Sequence, residues 1–448
     1  MPLPRALSEA VEAEFPRALE DLKALVRIPS VSARGEGQDA ARDAVARLLE
    51  CAGLAVEIWP TKGPGVVFAE GGSDSRTLLF YNHYDVQPED PVSAWHSPPF
   101  TPEIRDGRIY GRGTADNKGD LVSRIAAIRA FERAKIPLPC RVKFLVEGDE
   151  EIGSPSLPGC VRDKRERLAA DACLWESSAR DQLGHEMLML GVKGILCLRV
   201  ECRGPGRDLH SSLATSFENP AWRLLWALAA LKDASGRIRI PGFHDGVEPP
   251  CESDLAAVQA LPDFDEKALA GAGARDFLDG LRGVERRRLD YFGTTLNISG
   301  LTAGYQGPGS KTVLPSKAEA KVDIRLVLRQ DPARIVSAIR AFWDEEGFRD
   351  VEIASWDGYP AARTPVNHPA VKTISDALED SIGRRPLVAP NFLGSGPLYL
   401  FEGMFPTIAW GIASHDAHEH SPNEWVGLDD LRRGIRGIAG ILLAFGGP

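Results

Sequence analysis

Apolar residues recur along the chain first at intervals of three and four, then in short unbroken runs, then at every second position. Residues 6–26 and Gln38–Ala52 carry the three-and-four spacing and read as amphipathic helices. The runs AVEIW, GVVFA and TLLFYNH, starting at Ala55, Gly65 and Thr77, are short and β-like. Helical spacing returns in NKGDLVSRIAAIRAFERA, Asn117–Ala134, and RVKFLV (Arg141–Val146) and ACLWE (Ala172–Glu176) read as further strands. Strands that alternate with helices predict an α/β layered sheet.

The pattern changes at GVKGILCLRVECRG, Gly191–Gly204, where alternation implies a strand with one wet face. A helix at Asn219–Ala234, a second alternating run at Ala318–Leu328, a helix at Asp331–Gly347 and a strand at Val351–Trp356 follow. That rhythm predicts a small α+β domain inserted into the first. The Pro-rich stretch Asp357–Pro369 reads as the crossing back. The expected fold class is α/β: a mixed-sheet, helix-flanked domain from residues 1–192 and 358–448, interrupted by an inserted α+β domain at 193–357. A length of 448 residues agrees, being too long for one ordinary core.

Composition narrows the partners. Hydrophobic residues make up 43% and charged residues 26%, as in a water-soluble globular chain. The formal net charge is −10, with no basic stretch, which excludes a general nucleic-acid face and a polybasic membrane patch. The N-terminal stretch lacks the basic and apolar regions of a signal peptide. Seven scattered cysteines without C-x-x-C point to free thiols in a reducing cytoplasm and against a cysteine-based zinc site.

Open α/β sheets bind ligands at the carboxyl ends of their strands. There TLLFYNHYDVQP delivers His83 and Asp85, RVKFLVEGDEE delivers Glu147, Asp149, Glu150 and Glu151, and ACLWESS delivers Glu176. RIYGRGTADNKGD places Asp116 just before a helix, and HDAHEHSPNEW holds His415, His418 and His420. Singly, His83 reads as a hydrogen-bonded core histidine, Asp116 as a helix cap and Glu147 and Asp149 as solvated acids. Together, carboxylates converging at one sheet edge repel and desolvate at high cost. Divalent cations remove that cost, and a His-plus-carboxylate set suits zinc, with manganese or cobalt as alternatives. Neither H-E-x-x-H nor G-x-S-x-G occurs, and GYQGPGSKT fails as a phosphate loop because Lys311 follows Ser310 rather than Gly.

YNHYDVQP, YGRGTADNKG, EGDEEIGS and AHEHSPNE resemble, in order and spacing, the motifs of the M20 family of metallopeptidases. That family holds dipeptidases, carboxypeptidases and N-acyl-amino-acid deacylases of the acetylornithine deacetylase and succinyl-diaminopimelate desuccinylase type. The segment from Thr295 to Pro332 is similar to the inserted lid of the carnosine-dipeptidase branch. The resemblance implies a catalytic domain carrying two divalent metal ions per subunit, Zn2+ first, with Mn2+ or Co2+ as alternatives, and a lid that also dimerises. It implies that Asp116 bridges the ions, that His83 and Glu176 complete one site and that Glu151 and His420 complete the other. Asp85 would orient His83, Glu150 would be the general base to a metal-bridging hydroxide, and the Asp116–Asn117 bond would be cis. His210 would stabilise the oxyanion across subunits of a homodimer, with Thr312 and Arg325 contacting substrate.

Two positions depart from the pattern. Glu176 occupies a place held by Asp in many dipeptidases and Glu in many deacylases, and the family's Gly-Gly-Ser-x-Pro loop reads LGSGPL around Ser395. The expected activity is hydrolysis of dipeptides or short peptides with a free C-terminal carboxylate, with N-acyl-amino-acid deacylation as the alternative. An inactive binding protein is disfavoured because Glu150 and all five candidate ligands are present. Glu150 and Glu151 are expected on an extended segment, pointing opposite ways. Glu147 and Asp149 are expected to be supporting or solvated.

Overall fold

The computed structural model describes residues 2–73, 76–176 and 178–447. The chain divides into two compact units. The first takes the chain up to Gly191, then Thr364–Pro390, then everything from Leu400 onward; the second holds Val192–Arg363 and Asn391–Tyr399.

An eight-stranded sheet forms the first unit. Its spatial order is Ala55–Trp59, Val66–Gly72, Arg141–Glu147, Thr77–His83, Ala172–Trp175, Thr407–Ala409, Met187–Met189 and Leu387–Ala389. The three central strands Arg141–Glu147, Thr77–His83 and Ala172–Trp175 are mutually parallel, while Val66–Gly72 pairs antiparallel with Arg141–Glu147. The sheet is therefore mixed. Parallel neighbours need a crossover, and the helix Lys118–Ala134 supplies one between Thr77–His83 and Arg141–Glu147. Parallel pairing also sets His83 opposite Glu147, so these strands end at one edge.

The helix Lys118–Ala134 is buried along nearly its whole length and packs against Arg5–Val26 and Leu428–Gly446. The last of these turns a stripe of Leu431, Ile435, Ile438, Leu442 and Phe445 to the core. Arg124 acts as a bolt from this central helix. Its guanidinium donates to the carbonyls of Tyr81 at 2.7 Å and Trp175 at 2.6 Å, and to Asn82 Oδ1 at 2.7 Å. Buried carbonyls at neighbouring strand ends are thus satisfied by one side chain.

The second unit is a four-stranded antiparallel sheet ordered Asn297–Ala303, Lys317–Leu326, Gly194–Arg203, Glu352–Tyr359. Leu196, Leu198, Val200, Val322 and Ile324 form its dry face, covered by Pro220–Leu231 and Pro332–Glu345. Asn219 and Asp331 cap these helices by accepting from Ala221 N and Ala333 N. Three helices between Glu252 and Phe292 lack a strong apolar period and go beyond the sequence pattern. Among the described residues no helix is long and apolar enough to cross a membrane.

One local expectation fails. The strand stops at Glu147, and Glu150–Ile152 is a single 3₁₀ turn rather than extended chain. Only glycine fits just past the stop: a Cβ at Gly148 would lie 2.2 Å from the Tyr84 ring. The turn closes at Gly153, whose φ of +90° suits glycine.

Candidate metal centre

Parallel strands bring His83 and Glu147 to one edge, and Glu176 follows the next strand. His83 is buried. Its Nδ1 lies 3.1 Å from the Asp85 carbonyl and 3.3 Å from Asp85 Oδ1, so Asp85 fixes the ring. Its Nε2 lies 2.9 Å from Asp116 Oδ1 and 3.5 Å from Glu176 Oε2. The second oxygen of Asp116 sits 3.0 Å from His420 Nε2, and that nitrogen is 3.2 Å from Glu151 Oε2. Asp116 therefore stands between two histidines, one from each end of the cluster. All five residues expected as ligands come together.

Glu150 joins the same cluster. Ligand atoms of His83, Glu150 and Glu176 lie within 4.8 Å of one another, as do those of His83, Asp116 and Glu151. The 3₁₀ turn explains how neighbouring glutamates reach the same space. Asp85 accepts from the amides of Glu150 at 3.3 Å and Glu151 at 3.1 Å, so one carboxylate steadies both His83 and the turn. The Asp116–Asn117 peptide bond is cis.

Electrostatics describe a site with too few positive charges. Burial pushes Glu150 up to about 8; His83 counteracts this, while Glu151, Asp116 and Asp85 add to it. Burial likewise holds Glu176 well above its usual range, with Glu150 and Asp116 reinforcing it against His83. Asp116 goes the other way: burial opposes its charge, but the hydrogen bonds from His420 and His83 prevail. His420 is raised to about 11 by its bonds to Asp116 and Glu151. His83 is raised despite burial, because Glu176, Asp116 and Asp85 surround it.

The donor set is imidazole and carboxylate, with no thiolate, which fits a divalent cation of the zinc, manganese or cobalt kind. A second observation agrees. Glu176 Oε2 is buried and makes no hydrogen bond among the described residues, its ion-pair contact being His83 Nε2 at 3.5 Å, so it is open to a cation.

Glu147 and Asp149 are not solvated; both are buried. Glu147 accepts from the Tyr81 hydroxyl and, at 2.9 Å, from Ser154 Oγ, and thereby braces the turn. No pattern in the chain singles out Glu424. This buried carboxylate accepts from the amides of Gly113, Ala115 and Asp116, and from Arg112. Gln87 is a further partner, donating to Glu151 Oε2 at 2.9 Å. His415 and His418 are exposed loop residues.

The remaining expected residues belong to the second unit. Arg325 Nη1 donates to Ser395 Oγ at 2.6 Å, and Ser395 donates on to the Gly194 carbonyl at 3.1 Å. His210 pairs with Val313 in a short antiparallel ladder, next to Thr312, and both His210 and Thr312 are exposed. His210 Nδ1 lies 2.8 Å from Ser212 Oγ.

The chain matches the Peptidase family M20/M25/M40 over residues 79–444. The human Beta-Ala-His dipeptidase is 32% identical over 62% of this chain, and the match spans 54% of that relative's own length. The Cys-Gly metallodipeptidase dug1 of Schizosaccharomyces pombe is 32% identical over 59% of this chain and 56% of its own. Among solved structures, the M20 family metallo-carboxypeptidase Sso-CP2 from Sulfolobus solfataricus superposes with a TM-score of 0.89. It is 33% identical, over 96% of this chain and 99% of that one.

Proposed function

Because this chain belongs to the M20/M25/M40 peptidase family and is accordingly a hydrolase, we propose that it cleaves dipeptides or short peptides bearing a free C-terminal carboxylate. The observation that carries this reading is the cluster of His83, Asp116, Glu150, Glu151, Glu176 and His420 around carboxylates that lack enough cations of their own.

Members of the family bind metal, and we infer two divalent ions here, Zn2+ first, with Mn2+ or Co2+ as alternatives. His83, Asp116, Glu151, Glu176 and His420 would hold them, with Asp116 shared. When bound, such ions polarise a carbonyl and make a water acidic near neutral pH. Glu150 takes a proton from the attacking water and passes it to the leaving amine. Its upward push to about 8 marks the buried environment that a metal would relieve. Asp85 holds the His83 ring and the backbone of the catalytic turn together. In the second unit, Arg325, steadied by Ser395, receives the substrate carboxylate as a charge-assisted hydrogen bond, and Thr312 is a further substrate contact. We assign this unit the lid and dimerisation role, with His210 serving the oxyanion of the partner subunit in a homodimer. Seven free cysteines support a reducing, cytoplasmic setting.

A substrate panel tests the reading. Metal-loaded protein is offered dipeptides, C-terminally amidated dipeptides and N-acetyl or N-succinyl amino acids. Cleavage of free dipeptides but not of their amides is expected. Cleavage of acyl amino acids alone would make the chain a deacylase, and no cleavage in the panel would favour a binding role.

A further inference from the structure

Glu424 sits four residues after His420 and touches neither histidine, yet it joins the loops that meet at the site. Its carboxylate is fully buried. One oxygen, Oε1, accepts from Ala115 N at 2.9 Å and Asp116 N at 3.0 Å. The other, Oε2, accepts from Gly113 N at 2.9 Å and Arg112 Nη1 at 2.8 Å. Arg112 extends the link to the loop after Asp85, donating through Nη2 to the Pro88 carbonyl at 3.0 Å. The Glu424 carbonyl in turn accepts from Gly111 N at 3.0 Å. Three chain segments that carry His83 with Asp85, Asp116, and His420 thus converge on the Glu424–Arg112 pair.

We propose that Glu424 is the positioning residue of the metal centre, setting the Asp116 carboxylate between His83 and His420 by gathering the backbone amides that precede it. Only a carboxylate offers two acceptor oxygens to four inward-pointing donors. A carboxamide of the same shape would turn its own N–H groups toward two of those donors. The loop would then shift, and Asp116 with it. The inference rests on the metal-dependent reading above.

The test compares wild type, Glu424→Gln, Glu424→Asp and a control, Glu14→Gln. Glu14 is also a buried, paired carboxylate, lying 3.2 Å from Arg129, but it belongs to the first helix. Affinity for Co2+ is measured by competition with a chromogenic chelator, and the visible absorption of the Co2+-loaded proteins is recorded. Circular dichroism of the metal-free proteins checks folding. Glu424→Gln is expected to bind Co2+ roughly ten- to a hundredfold more weakly, with an altered visible band. Glu14→Gln should lose stability yet keep both affinity and band. Glu424→Asp, which keeps the charge, should recover part of the affinity, and it carries the test if the Gln variant does not fold. Wild-type affinity and an unchanged band in a folded Glu424 variant would overturn the inference alone. Failure of wild type to bind Co2+ would overturn the metal reading itself, and the inference with it.

Discussion

The two sheets treat buried acids in opposite ways. In the second unit, Glu201 is nearly covered, yet Lys317 at 2.7 Å, Arg199 at 2.5 Å and Arg203 surround it, and the bonds from Lys317 and Arg199 hold it down at about 2. In the first unit, Glu150 and Glu176 share a space with Asp116 and Glu151 but with only two imidazoles, and burial drives them upward. The first arrangement is electrically complete. The second is complete only when cations arrive. The lesson is that neither acid count nor burial marks a metal site; the marker is burial without compensation by the chain's own cations.

The contrast can be broken most forcefully by removing metal. Dialysis against a strong chelator should take peptide turnover to background, and readdition of Zn2+, Mn2+ or Co2+ should restore it. Full activity at verified zero metal content would end the comparison. Next in size is Glu150→Gln, expected to lower kcat by roughly 10²–10⁴-fold while metal content, read by elemental analysis, stays that of wild type. Normal turnover would remove Glu150 from its role as base.

A smaller effect lies in the pH dependence of the metal-free protein. An unfolded glutamate titrates at about 4.3, whereas Glu150 in the fold is pushed up to about 8. Between those values the folded state holds a proton that the unfolded state has released, so stability is lost as pH rises through the window. His420, raised to about 11 against about 6.5 unfolded, acts in the same direction above neutrality. Urea midpoints of the chelated protein should therefore fall from pH 5 to pH 8. Bound metal displaces these protons and should flatten or invert the slope. A midpoint that climbs with pH without metal would contradict the account.

The smallest test sets one acid against the other. Glu176→Gln should stabilise the chelated protein, by about 1 kcal/mol, because it removes a carboxyl that must take up a proton to be buried without a cation, and should destabilise the metal-loaded one. Glu201→Gln should cost about 1 kcal/mol or less under both conditions, since its partners are exposed cations. Equal behaviour of the two variants would erase the distinction between the sheets.

Much of this was readable in the chain. The strands around Phe80, Phe144 and Leu174 declared themselves by apolar runs, and their parallel order follows from the helix at Lys118–Ala134. His83, Glu176 and the acids from Glu147 to Glu151 stood out as polar residues at predicted strand ends, and Asp116 just before a helix, but the choice of Glu151 and of His420 among their neighbours came only from the resemblance to the M20 motifs. Other features had no such signature. The helices from Glu252 to Phe292 are short and weakly amphipathic. The turn at Glu150 depends on Asp85 capturing two amides, and the need for glycine at 148 on the Tyr84 ring, both tertiary events. Glu424 is an ordinary acid until its three amide partners arrive from residues more than 300 positions upstream.

That last separation bears on how the enzyme comes into being. Asp116 and His420 are 304 residues apart, and everything between them, including the whole second unit's long excursion, must be looped out before they meet. Closing so long a loop costs little more than closing a shorter one in equilibrium terms, but long-range pairings form late in folding. A partly made or partly folded chain would own His83, Asp85 and Glu151 yet lack the closing imidazole. Under the metal reading proposed above, ion binding would then report that the first unit has been rejoined by its distant carboxyl-terminal segment.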